Sequence, residues 1–321
     1  MSNEKILYRK TRDIGDVFGA SFKFIKQNFK PFYGSLLFFA GPFLLAGTLA
    51  YSYFANAAGI SPYSYSQNLG NSISTFLGAF AIALTVLMFG ISVYTVTLNK
   101  TLIVNETQAQ GENLNISEIG RNFFNDFWRV LINMLLFSFV FIIVLGFFFL
   151  LMVGLVALFK IIAGSDMLLI VISVLLVIAF FLILFPILSF VPLAAFFVCQ
   201  RDRINIFNAT GKVLSYMKGN FWTTWVFSIL ALLTYSVMAF IVQLPVFILT
   251  AISTFSRLGS TAGQGVGEDS SSVTLILVTV VCSLIGYMVM GVFYLMCIYQ
   301  YTSLEEKKEG STLIENINQI V

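Results

Sequence analysis

The sequence predicts an all-α integral membrane protein with six transmembrane helices, arranged as three hairpins that each follow an interfacial amphipathic helix. Composition is the first reason, because 58% of the residues are hydrophobic and only 10% are charged, whereas soluble domains carry about 25% charged residues. The second reason is the presence of six apolar runs, since each reaches the roughly 20 residues that a helix needs to cross a bilayer. The third reason is that short segments that mix apolar and basic residues recur at near-constant spacing.

The six predicted spans contain no Asp, Glu, Lys or Arg: 32–57, 73–98, 130–159, 167–198, 221–253 and 273–299. An ionisable residue buried in the bilayer commonly marks an ion or proton path. Its absence from all six runs argues against coupled transport through a membrane-embedded carboxylate, although the carbonyls of broken helices can also hold an ion.

The distribution of Lys and Arg predicts the orientation of the chain. All but two of the 18 cations lie in the N-terminal segment, in the two longer connections or in the tail, and the exceptions are Lys160 and Arg257. The excess of basic residues in cytoplasmic connections then places both termini in the cytoplasm. We therefore expect a multi-pass protein of the bacterial cytoplasmic (inner) membrane.

Residues 12–31 form the first predicted surface helix. Its apolar side chains recur at helical spacing and share one stripe: Ile14, Phe18, Phe22, Ile25 and Phe29. Its cations collect on one flank of that stripe: Arg12, Lys23, Lys26 and Lys30. A helix of this kind lies on a membrane surface rather than crossing it. These four cations are candidates for contact with anionic lipids of the inner leaflet.

Two further segments resemble the first. Residues 115–129, with Ser117 as a candidate cap, carry the stripe Ile116, Ile119, Phe123 and Phe127. Residues 204–222 carry the stripe Phe207, Thr210, Leu214, Met217 and Phe221. The three segments end in similar junctions at Asn28, Asp126 and Asn220, which are 98 and 94 residues apart.

A near-constant period indicates internal repetition. We predict one membrane domain over 1–321 that contains repeats at 12–98, 115–198 and 204–300, with a cytoplasmic tail at 301–321. The alternative is that any six-span protein needs polar, basic cytoplasmic connections, with aromatic residues at the interface. The mixed-sign run at 305–309 predicts a solvated helix that continues from the sixth span.

The string DIGDVFGASFKFIKQNFKP, the three units of surface helix and hairpin, and the tail YTSLEEKKEGSTLIENI resemble uncharacterised polytopic membrane proteins of Bacteroidota. The pattern is also similar to the membrane domain that precedes some glycerophosphodiester phosphodiesterases. In that family the activity resides in a separate barrel domain with acidic metal ligands and histidines. The resemblance therefore implies a membrane architecture only, because this chain has neither such a domain nor a histidine.

The residue types point away from catalysis, so we expect no enzyme, no cofactor and no metal site. Histidine is absent and the three cysteines form no CxxC pair, which removes the commonest general base and metal ligand. Gln243 lies two residues before Pro245 in the fifth run, where a proline kink would let it line a cavity.

Two functions follow from these residues. The first is a non-enzymatic scaffold, or a lipid-organising component of a membrane complex. Its partners would be anionic membrane lipids and other membrane proteins, not nucleic acid. The alternative is a transporter or lipid-handling protein with a cavity between the hairpins, reached by Gln243.

Overall fold

The computed structural model describes residues 10–57, 73–107, 114–163, 171, 175, 178, 188–260 and 268–320, and no strand occurs among them. The predicted all-α fold class is confirmed. In chain order the helices are α1 (Ile14–Gln27), α2 (Phe29–Ser35), α3 (Gly41–Ala57), α4 (Ile73–Thr107), α5 (Ile116–Gly120), α6 (Phe123–Ala163), α7 (Leu188–Arg201), α8 (Ile206–Met217), α9 (Phe221–Ser260) and α10 (Glu268–Ile320).

Five helical stretches within the described residues are long and apolar enough to cross a membrane: Phe29–Ala50, Phe80–Thr107, Phe123–Val144, Phe221–Ile252 and Leu277–Gly310. The chain is therefore a multi-pass membrane protein. Most of the fourth predicted span, 167–198, lies outside the described residues, and its end is the shorter apolar helix α7. With 53 residues, α10 is about 80 Å long. It extends well beyond a hydrocarbon core of about 30 Å.

Large apolar side chains cover the outside of the long helices. Phe139 and Phe147 on α6, and Phe240 and Phe247 on α9, are all exposed. A soluble protein rarely leaves so much contiguous apolar surface uncovered. Lipid chains are the solvent that such a surface fits, which agrees with the length and composition of these helices.

A π-helical turn, Leu36–Ala40, joins α2 to α3 just before Pro42. Proline has no N–H to donate to the preceding turn, and one wider turn absorbs the missing hydrogen bond. The N–H of Gly41 donates to the Leu36 carbonyl across this turn. The first candidate span therefore continues through Pro42 as one helical stretch.

The prediction of a single surface helix over 115–129 is wrong. The short helix α5 ends at Gly120, and Asn122 then adopts a left-handed conformation with φ of 57°. Asparagine tolerates this conformation better than most residues. The long helix α6 begins at once, so residues 123–129 belong to a candidate span. Asn115 caps α5 by accepting a hydrogen bond from the Ser117 N–H at 3.2 Å, in place of the predicted Ser117 cap.

The chain groups into two compact units. The first unit comprises Met1–Ile6, Ser21–Phe123 and Leu233–Leu295. Polar contacts bind α4 to α10 in this unit, where the Tyr94 hydroxyl donates to the Tyr287 carbonyl at 2.8 Å. The Tyr294 hydroxyl donates to the Asn99 side chain at 2.5 Å. Both bonds satisfy polar groups away from water, as a helix pair in lipid requires.

The second unit comprises Leu7–Ala20, Phe124–Leu232 and Met296–Val321. Its apolar core contains Phe227 of α9, whose ring lies 5.8 Å from that of Phe18 and 6.3 Å from that of Phe190. The Phe137 ring lies 5.7 Å from the Phe196 ring. Aromatic contacts of this kind connect α1, α6, α7 and α9 within this unit.

Gly291 in the first unit gives a direct test of helix packing. A Cβ at this position would lie 3.3 Å from the Phe32 ring and 3.3 Å from the Tyr94 hydroxyl. We expect Gly291→Leu to lower the unfolding temperature in detergent, because overpacking costs about 1–3 kcal/mol. Gly286→Leu on the same helix is the matched control, since a Cβ there has no neighbour within 4 Å. Equal unfolding temperatures for the two variants would contradict the close packing.

Candidate functional site

Four side chains of alternating charge meet in the second unit, and we call them the Arg201 cluster: Arg201, Asp202, Lys212 and Glu305. Arg201 is the last residue of α7 and donates two hydrogen bonds to Glu305 of α10. One runs from Nη1 to Oε2 at 2.8 Å and the other from Nη2 to Oε1 at 2.5 Å. Its Nε donates to Asp202 Oδ1 at 2.8 Å. The Lys212 ammonium on α8 donates to Asp202 Oδ2 at 2.7 Å.

Glu305 is the most deeply buried member of the cluster, with 1% of its side chain exposed. Its Oε1 also accepts a hydrogen bond from the Tyr301 hydroxyl at 3.3 Å and lies 3.6 Å from the Lys212 ammonium. Burying an isolated, unpaired carboxylate costs more free energy than the net stability of a folded protein. The surrounding donors compensate for the lost water, as a buried ion pair needs them to.

A second set of contacts ties α8 to α10 beside the cluster. The Tyr216 hydroxyl donates to Glu309 Oε1 at 2.9 Å, and the Lys308 ammonium donates to the Ser215 carbonyl at 3.1 Å. The Tyr216 and Tyr301 rings lie 6.0 Å apart. The end of α8 is therefore held on α10 by charge, hydrogen bonding and ring contact together.

The cluster shifts the ionisation of its outer members. Partial burial works to raise the pKa of Asp202, but hydrogen bonds from Arg201 and Lys212 outweigh it, and the pKa lies below its ordinary value. For Tyr216, burial and then the hydrogen bond to Glu309 raise the pKa above its ordinary value. Asp202 is therefore held as a carboxylate and Tyr216 as a neutral hydroxyl at neutral pH.

Arg12 attaches the segment before α1 to the same helix, α10. The backbone N–H of Arg12 donates to the Ser303 hydroxyl at 2.8 Å, and that hydroxyl donates to the backbone carbonyl of Arg12 at 3.0 Å. The guanidinium lies 5.1 Å from the centre of the Tyr299 ring. Arg12 is only 7% exposed, so it does not share the exposed flank on which the sequence predicted it.

The other three predicted lipid-surface cations, Lys23, Lys26 and Lys30, are exposed. The helix α1, which carries the first two of them, buries Val17, Ser21, Phe24 and Ile25. The predicted apolar stripe therefore overlaps the buried arc only in part, at Ile25, while Phe22 and Phe29 are exposed, because periodicity detects apolar positions without distinguishing a protein neighbour from lipid. Gln243, the predicted cavity residue, is half-buried on α9.

Sequence reasoning missed the Arg201 cluster. It treated Arg201 as an orienting charge and residues 305–309 as a solvated run, and the structure contradicts the second point at Glu305. That run does continue the helix of the last candidate span, as predicted. The sequence did contain a signal, because Arg201 and Glu305 are charged residues that lie shortly after the predicted spans 167–198 and 273–299.

The cluster offers charge pairing rather than an open reaction centre, because each of its ionic groups is directed at another. Among the described residues, no group of three or more His, Cys, Asp or Glu side chains could hold a metal ion. Comparisons with protein-family models, curated proteins and solved structures gave no match to this chain. The similarity to phosphodiesterase membrane domains stays a prediction.

Removal of the Glu305 charge tests the cluster. Glu305→Gln leaves Arg201 buried without its main counter-charge, and breaking a buried pair costs about 3–5 kcal/mol. We expect a markedly lower apparent unfolding temperature in detergent. Glu306→Gln is the matched control at the neighbouring, half-buried position, where a change within about 0.5 kcal/mol is typical. An Arg201→Met/Glu305→Leu double variant should recover much of the loss, and equal effects at 305 and 306 would contradict the pairing.

Acid should weaken the cluster through Asp202. Because the folded-state pKa of this carboxyl is lowered, its stabilising contribution is present above the unfolded pKa, about 3.9, and is lost as pH falls through the folded value. We expect the unfolding temperature to fall between neutral pH and pH of about 3, and Asp202→Asn to flatten that fall. Unfolding curves are measured in one detergent across the pH series. Identical pH dependence in both proteins would contradict the role of Asp202.

Proposed function

We propose that this chain is a non-enzymatic multi-pass protein of the bacterial inner membrane, with both termini in the cytoplasm. In this proposal it organises lipid at the inner leaflet, or scaffolds membrane partners there, through the surface helices α1 and α8. One observation carries the proposal. Each of these helices buries one arc within the protein and leaves large apolar side chains exposed beside it, Phe22 on α1 and Phe207 and Leu214 on α8.

On α1 the exposed apolar arc contains Phe22, which is 45% exposed, and is continued by Phe29, which is 59% exposed. Val17 and Ser21 on the neighbouring arc are completely buried. A helix of 14 residues is about 21 Å long, too short to cross a hydrocarbon core of about 30 Å. The first candidate span begins at Phe29, which supports a position for α1 in the membrane surface.

On α8 the same layout recurs. Ile206 and Val213 are completely buried, whereas Phe207 and Leu214 are about half exposed. Another candidate span begins at Phe221, directly after this helix. The exposed apolar arc therefore lies at the start of a span here too, where lipid is the environment that suits it.

Most positions of the two helices agree in burial at a shift of 192 residues. Ser21 corresponds to Val213, both buried, and Phe22 corresponds to Leu214, both exposed. The junctions Asn28 and Asn220 are separated by the same shift. At the middle repeat the corresponding residue, Ile119, is also completely buried. This agreement supports the proposed threefold repeat, although its middle surface segment is the short α5 rather than a full helix.

The attachments of the two helices support a structural rather than a catalytic role. The Arg201 cluster and Tyr216 hold α8 on α10, and the Arg12–Ser303 contact holds the segment before α1 on the same helix. Rigidly held elements present a surface whose orientation is fixed by the fold, which is what a scaffold requires. The absence of histidine adds to this, because it removes the most common general base.

Depth-dependent quenching tests the proposed position of both helices. The native cysteines Cys199, Cys282 and Cys297 are buried and are first replaced by Ala. Single cysteines at Phe22 and Leu214 are then labelled with a fluorophore in reconstituted protein, and lipids carry a nitroxide near the headgroup. We expect strong quenching at both positions, because the exposed arcs contact lipid.

Asp16 and Asn208 supply matched controls for this experiment. They are exposed, are separated by the same shift of 192 residues, and lie about 120° around the helix from Phe22 and Leu214. Labels at these positions should be quenched by aqueous iodide more than by the lipid nitroxide. Equal lipid quenching at all four positions, or none at Phe22 and Leu214, would contradict the in-plane arrangement.

A further inference from the structure

Matching positions on the two surface helices differ in charge. Lys23, Lys26 and Lys30 are exposed on the α1 side. The shift of 192 residues maps them onto Ser215, Lys218 and Trp222, which are also exposed. At these matched positions the α1 side therefore carries three exposed cations, and the α8 side carries one, Lys218.

The α1 cations stand where lipid headgroups would be. Lys30 is the second residue of the candidate span Phe29–Ala50, so its Cα lies near the boundary of the hydrocarbon core. Lys26 is one turn before it, and Lys23 and Lys26 are neighbours on the helix face. Lysine buries its aliphatic stem along apolar surface while the ammonium stays in the polar layer. Asp16 is the nearest acidic residue on α1, about 10 Å along the axis from Lys23.

The basic side chain within α8, Lys212, is paired with carboxylates of the Arg201 cluster. The Lys212 ammonium donates to Asp202 at 2.7 Å and lies 3.6 Å from Glu305. Lys308, which reaches α8 from α10, donates to the Ser215 carbonyl and stands 5.1 Å from the Tyr216 ring. Both cations take part in the attachment of α8 to α10, although Lys308 is itself exposed. Among the residues of α8 and its C-cap, Lys218 is the exposed cation.

From this difference we infer that anionic phospholipids gather at α1 and not at α8. This inference rests on the proposed function, because it names the lipid class that the first surface helix selects. The occupant is a bilayer phospholipid with a net negative headgroup, since Phe22 and Phe29 provide an apolar surface directly beside the lysines. Each basic residue at an anionic surface contributes about fivefold to association at low salt. The selection weakens as added salt screens the charges.

Spin-labelled lipids measure this selection in the full chain reconstituted in vesicles. The relative association of phosphatidylglycerol over phosphatidylcholine is obtained from the motionally restricted fraction of each label. The loss variant is Lys23→Gln/Lys26→Gln/Lys30→Gln, for which we expect the preference for phosphatidylglycerol at low salt to fall by about fivefold or more. The charge-conserving control, with Arg at the same three positions, should keep the preference of the natural chain.

A gain variant uses the third repeat as the matched site. Ser215→Lys/Trp222→Lys transfers the cationic pattern of α1 to α8, and we expect a higher preference for phosphatidylglycerol. Unfolding temperatures check that each variant is folded, and protease accessibility of the termini checks its orientation. If the gain variant does not fold, the loss variant alone tests whether α1 selects anionic phospholipid.

The outcomes separate the two proposals. An unchanged preference in the loss variant, with Phe22 and Leu214 still quenched by lipid, overturns the anionic selection and leaves the in-plane helices intact. A preference lost equally through Lys218→Gln alone would also overturn it, because the selection would then not belong to α1. Absence of lipid quenching at Phe22 and Leu214 would remove the proposed function itself.

Discussion

The burial of the Glu305 carboxylate constrains much of the second unit. A carboxylate with 1% exposure has no water to stabilise it, so nearby donors must do so. Arg201 supplies two hydrogen bonds but is itself largely buried and relies on Asp202. Asp202 in turn is paired with Lys212, the most exposed member of the cluster. This alternation fixes α7, α8 and α10 relative to one another, because moving one helix would leave a buried charge unpaired.

The attachment of α8 to α10 explains which of its apolar side chains are buried and which are exposed. Since the Lys212 and Tyr216 side faces α10, and Ile206 and Val213 pack inside, the remaining apolar side chains have only the outside to face. Phe207 and Leu214 are exposed for that reason. The N-terminal segment uses backbone hydrogen bonds to Ser303 instead of charge. Lys23 and Lys26 of α1 are exposed, whereas Lys212 of α8 is partly buried in its ion pairs.

The sequence was sufficient for the fold class and for most of the spans, because a hydrocarbon environment imposes one-dimensional rules of length and charge exclusion. Helical periodicity located α1 and α8, but a stripe of apolar residues does not reveal which arc meets protein. Glu305 was misjudged because its partner is 104 residues away, and a mixed-sign run is usually solvated. The break at Asn122 depends on a single left-handed residue, which no periodicity detects.

If the chain contains the proposed repeat, corresponding positions in its units differ in how freely their residue types can change. Ser21, Ile119 and Val213 are all completely buried, so packing restricts their size. Phe22 and Leu214, which the proposal places against lipid, need only be apolar, since hydrocarbon chains adapt to shape. Positions that the proposal places at the headgroup level are restricted by neither packing nor apolarity, and there Lys23 and Lys30 correspond to Ser215 and Trp222. A functional difference between the repeats is therefore most readily encoded at the headgroup level, where a change of charge alters the lipid neighbour without disturbing the core.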